Sequence, residues 1–153
     1  MTMAERLLWL AEDMAKRGAH SLTAKRRAVS TAYYAVFHAI ASLCVREILP
    51  GEDKQSAEFE RVYRALEHGS LKTEFSRRPL SSNTALRPIG DLVIQLQSER
   101  HRSDYSPTRR LYSIKTCMQH IQSARLAMKL LNQLGAQDRR VLAIALLFRQ
   151  RSA

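Results

Sequence analysis

Glycine and proline are scarce, five and four in 153 residues. A chain with so few turn formers has little with which to build the reversals of a β sandwich or barrel, and it favours long helices with short connections. Cysteine is scarcer still. Cys44 and Cys117 stand far apart in apolar helical patterns, without the spacing of a zinc site. Two buried free thiols are the simplest expectation, and they suit a cytoplasmic protein. No apolar run approaches a membrane-spanning length, the longest candidate being Val141 to Phe148, so no membrane association is expected. The opening segment MTMAERLLWLAEDMAKRG sets acids inside its apolar run, unlike a secretory leader. Gly-rich phosphate loops, GxSxG, HExxH and carboxylate clusters suited to magnesium are missing from the sequence. No metal or other cofactor is therefore expected.

Negative charge is also in short supply: 14 Asp/Glu face 25 Lys/Arg, a formal net charge of +11. The cations recur along the chain as Lys25-Arg26-Arg27, Arg77-Arg78, Arg100 to Arg102, Arg109-Arg110 and Arg139-Arg140. A basic surface of this kind concentrates polyanions, nucleic acid first, with an acidic protein, an anionic membrane surface or plain solvation as alternatives.

Apolar spacing predicts helices throughout. Leu7, Leu10, Ala11 and Met14 mark a first one over Met3 to Arg17, stopped by Gly18. Ser21 or Thr23 can cap a second running to about Leu49, with Val29, Tyr33, Val36, Ile40 and Leu43 as its inward stripe and Arg27, Tyr34 and His38 on another line. A third is predicted over Glu52 to His68, ended by Gly69, and then a short helix or loop around Leu71 to Phe75. Ile89, Leu92, Val93 and Leu96 line a fourth that reaches His101 or Ser103 despite Pro88 and Gly90. Ser106-Pro107 reads as the start of a long helix carrying Leu111, Ile114, Met118, Ile121, Met128 and Leu131, closed by Gly135. Asp138 can cap a last helix, Arg139 to Gln150, apolar all round at its centre. Trp9 and the methionines read as packing. The expected fold is all-α, an antiparallel bundle of five to six helices over residues 1–135, with residues 136–153 packing on the bundle or on a second subunit.

Three stretches carry a family likeness. RRAVSTAYYAVFHAIASL in the second helix resembles the signature helix of the HEPN superfamily. RALEHGSLKTEF is similar to the segment that follows it in one branch, and RHRSDYSP to that branch's Arg…Asp-Tyr motif. The resemblance spans roughly residues 22 to 133. It implies a four- or five-helix antiparallel bundle that pairs as a homodimer. It also implies toxin–antitoxin, anti-phage or other RNA-linked systems, often beside a nucleotidyltransferase partner protein. Many members are metal-independent ribonucleases whose hallmark is Arg, four to six residues, then His. Here the residue five beyond Arg100 is Tyr105, and His101 is adjacent to Arg100, about 100° round a helix. Arg61 and His68 do have the spacing, in a different helix.

Two functions stay open, with a non-catalytic helical scaffold as a third. One is a module that binds RNA or a nucleotide through Arg100, His101, Arg102, Asp104, Tyr105, Tyr34 and Arg27. In that module Asp104 pairs with Arg100 one turn earlier. The other is a metal-independent endoribonuclease in which Arg100 steadies the phosphorane and Tyr105, His101 or His38 moves protons. Whether the chain is an enzyme is left open. A structural role stands beside both: Tyr33 as core, His38 as an interhelical contact, and Arg100 with Asp104 as the lock on a helix end.

Overall fold

Thr2 opens the first helix with a capping box: its hydroxyl accepts from the Glu5 N–H while the Glu5 carboxylate accepts from the Thr2 N–H. In this computed structural model, which describes residues 1–107 and 113–150, seven helices follow one another with no strand among the described residues. They are α1 (Met3–Arg17), α2 (Leu22–Ile48), α3 (Ala57–Ala65), α4 (His68–Phe75), α5 (Arg87–Tyr105), α6 (Ile114–Asn132) and α7 (Ala136–Leu147). The fold is an all-α helical bundle.

α2 is its axis. α1, α3, α5, α6 and α7 all pack on it, α1 and α5 also touch α6, and α4 lies against α5 and α7. This explains why α2 is apolar far beyond one stripe. Val29, Tyr33, Val36 and Ile40 are buried as the spacing predicted, and Ala28, Ala32, Ala35, Phe37, Ala41 and Cys44 are buried as well. By length and composition α2 is the one described helix apolar enough to cross a membrane, which corrects the sequence-based expectation that no segment approaches that length. Within the bundle 67% of its most apolar window is covered by protein, as a central helix requires.

The α1–α2 seam is built from small residues. Ala4, Leu8, Ala11 and Ala15 face inward, whereas Leu10 and Trp9, expected to pack, are exposed. Small side chains let the two backbones approach closely at the turn, where Ser21 caps α2 by accepting from the Ala24 N–H. A Cβ placed on Gly18 would lie 2.2 Å from the Ala24 Cβ and 2.8 Å from the Met14 carbonyl oxygen. Neither neighbour is a flexible side-chain tip. Gly18→Ala is therefore expected to lower stability by about 1–3 kcal/mol, seen as a reduced urea midpoint at unchanged slope.

Several predicted boundaries move. The helix expected over Glu52 to His68 splits. Leu66 is buried, Leu66 and Glu67 are extended, and α4 begins at His68, so Gly69 lies inside a helix rather than capping one. Ser106, expected to open a helix, closes one by donating its N–H to the Arg102 carbonyl at the end of α5. The cap of α6 is Ser113, which accepts from the Thr116 N–H. The inward face of α6 is Cys117, Ile121, Ala124, Met128 and Leu131, with Ile114 exposed; Leu111 and the Arg109-Arg110 pair lie outside the described residues. α6 ends at Asn132, and Gly135, expected to close it, is the N-cap of α7. Asp138, expected as that cap, accepts instead from the Asn83 Nδ2, while the Asn83 Oδ1 accepts from the Ala85 and Leu86 N–H groups at the start of α5. α7 packs on its own bundle through Leu142, Ala143 and Leu146, leaving Ile144 and Phe148 exposed. The two cysteines are buried free thiols, and burial pushes Cys44 up to about 12 and Cys117 up to about 11.

Candidate functional site

Arg100 is placed by α5 against the two consecutive tyrosines of α2. Its guanidinium carbon lies 5.3 Å from the Tyr33 ring centroid and 5.9 Å from that of Tyr34, within the range of cation–π attraction. One nitrogen, Nη1, donates to the Tyr34 hydroxyl at 3.5 Å and reaches the Asp104 carboxylate at 3.5 Å, one turn along α5. Both contacts are long for charge-assisted bonds. Nε is buried with no hydrogen-bond partner. A guanidinium offers five N–H donors, so this one has more capacity than its surroundings use.

His68, the first residue of α4, completes the group. Its Nδ1 lies 3.0 Å from the Tyr33 hydroxyl, its ring stacks on Phe37 at 3.7 Å, and the Tyr34 ring meets it edge-on at 5.4 Å. The Gln97 amide donates to the His68 carbonyl at 2.7 Å, tying α4 to α5 at this point. Burial, then the charges of Arg100 and His38, hold the His68 imidazole below its ordinary value. Burial pushes the Tyr33 phenol well up, so the hydroxyl stays protonated beside Nδ1.

The predicted residues separate into five places. Arg100, Asp104 and Tyr34 come together. His101 and Tyr105 pair with each other on exposed α5, rings 4.9 Å apart. Tyr105 is five residues from Arg100, about 140° round the helix, and no contact among the described residues joins them. Arg102 pairs with Glu99, which also lies 3.6 Å from His120. Arg27 is exposed on α2, about 10 Å along the helix from Tyr34. His38 lies on the far side of Phe37, its Nδ1 2.6 Å from the Tyr63 hydroxyl. His68 has the hallmark spacing to Arg61, which is exposed in α3; the arginine whose charge acts on it is Arg100.

No family model, curated protein or solved structure matches the chain. The geometry alone must therefore carry the function. No group of three or more His, Cys, Asp or Glu suited to a metal ion occurs among the described residues. The cluster joins a cation, two aromatic rings and an imidazole from α2, α4 and α5.

Three histidines share one electrostatic condition. Burial holds His38, His68 and His120 below the ordinary value, against the pull of Glu99 in the case of His120. A base with a lowered folded-state value takes its proton more readily when unfolded. Stability is then intact above about pH 6.5 and falls as pH drops through that range. The urea midpoint is expected to fall between about pH 7.5 and about pH 5.5, and less steeply in His68→Gln; a midpoint that rises on acidification contradicts the sign.

Proposed function

We propose that the chain is a HEPN-like module that binds RNA or a nucleotide, works as a homodimer, and belongs to a toxin–antitoxin or defence-type system with a partner protein such as a nucleotidyltransferase. The observation that carries the binding reading is the unsaturated Arg100 guanidinium, held over Tyr33 and Tyr34 with an unpartnered Nε and two 3.5 Å contacts. A phosphate oxygen offers such a fork shorter, charge-assisted bonds than Asp104 and Tyr34 do. The net charge of +11 supplies long-range attraction. Fluorescence anisotropy with a labelled single-stranded RNA tests this: the logarithm of the affinity is expected to fall linearly with the logarithm of salt concentration. Absence of binding at low salt contradicts it.

One observation favours the metal-independent endoribonuclease as the second reading. The histidine missing after Arg100 in α5 is supplied by α4, because His68 sits on the same two tyrosines as Arg100. Arg100 would steady the pentacovalent phosphate and His68 would move a proton. Cleavage of RNA in EDTA that disappears in both Arg100→Ala and His68→Ala would establish it.

A further inference from the structure

A cavity of about 820 Å³ opens beside α2 at His38, one turn along the helix from Tyr34. Its walls come from the first turn of α1, the His38 to Glu47 stretch of α2, α3, the end of α6 and the start of α7. That volume falls in the range of pockets that hold small molecules.

One wall is a row of rings. Phe59 stacks on Tyr63 with centroids 6.0 Å apart, and Tyr63 on His38 at 5.8 Å, each pair 23–25° from parallel. The polar tips of this row satisfy one another through the hydrogen bond between Tyr63 and His38 Nδ1. Ala39, Leu43, Met128 and Leu131 supply the remaining apolar surface, with methionine able to adapt its shape to what lies on it.

The charges at the rim are unbalanced. Every carboxylate lining the cavity is engaged: Glu5 in the α1 capping box, Glu47 with Arg139 at 2.8 Å, and Glu60 with Arg64 at 2.7 Å. Arg46 and Lys54 also line it, are exposed, and form no ion pair among the described residues. Arg46, Lys54, Arg64 and Arg139 line the cavity against the three carboxylates, so the surplus charge offered to an occupant is positive, beside an apolar floor.

We propose that this groove binds an amphiphilic carboxylate, its aliphatic body lying on Leu43, Met128 and Phe59 and its head group meeting Arg46 and Lys54. The cavity shares no lining residue with the Arg100 cluster, which it adjoins through His38. His38, open from sequence between a role in RNA chemistry and an interhelical contact, bonds Tyr63 of α3 and is here a wall residue.

The test is displacement of the fluorescent dye 1-anilinonaphthalene-8-sulfonate from the full chain by decanoate, decanol or AMP. Decanoate is expected to displace the dye saturably and more tightly than decanol or AMP. The double variant Arg46→Gln, Lys54→Gln is expected to weaken decanoate by about tenfold and leave decanol unchanged. Both side chains are exposed, so the fold is retained. Leu43→Trp, which fills the groove, is expected to abolish displacement by either. Failure of decanoate to compete, equal competition by AMP, or an unchanged decanoate affinity in the charge variant would overturn the proposal.

Discussion

Arg100→Ala is expected to weaken binding of single-stranded RNA by at least about tenfold at about 100 mM salt and to reduce the salt slope by about one. The argument is local. The terminal nitrogen Nη1 of Arg100 makes only two 3.5 Å contacts within its own fold, and a phosphate contact made through the guanidinium end is lost outright on truncation. Arg100→Lys separates charge from shape: it keeps the cation but loses the planar fork, so it is expected to preserve the salt slope while recovering part of the affinity. Equal affinities for the unchanged protein, Arg100→Lys and Arg100→Ala would mean that the RNA contacts lie elsewhere on the basic surface. Replacing exposed Arg27 or Arg102 is expected to cost less, because each contributes steering rather than a cation held over two rings.

Tyr33→Ala is expected to cost about 3–5 kcal/mol of stability, the largest effect of any change at the site. Tyr33 is the bulkiest of the fully buried side chains, 1% exposed. It packs against Phe37 and Tyr34, lies beneath the Arg100 guanidinium and holds His68 through its hydroxyl. Removing the ring opens a cavity at the junction of α2, α4 and α5. Tyr33→Phe keeps the ring and removes the bond to Nδ1; its cost is expected to be about 1 kcal/mol. Urea denaturation of the two variants distinguishes ring from hydroxyl: similar losses in both would show that the hydrogen bond, and not the packing, anchors the site.

The legible parts of this fold are those set by local chemistry. Met3–Arg17 and the Ser21 cap follow from apolar spacing and a hydroxyl beside a helix start. The break at Leu66 and Glu67 carries no glycine or proline. Burial of Leu66 and the bond from Tyr33 to His68 impose it from a distance, and Gly69 misleads because glycine is tolerated inside a short helix held by its neighbours. Ser106 misleads because serine suits a helix end as well as a start. At the site, Arg100 and Asp104 are visible as a one-turn pair, and Tyr34 as the neighbour of His38 on one line of the second helix. His68 is not, because no periodicity within either helix reports that α4 brings it to tyrosines 34 and 35 residues earlier in the chain.

The most direct measurement is photocrosslinking of a 4-thiouridine-labelled single-stranded RNA to the purified protein, with the attached peptides located by mass spectrometry. Binding at the Arg100 cluster is expected to give crosslinks on the peptides carrying Tyr34 and His68, lost in Arg100→Ala. Crosslinks confined to peptides away from α2, α4 and α5, and unchanged in Arg100→Ala, would contradict the assignment of this cluster as the RNA site.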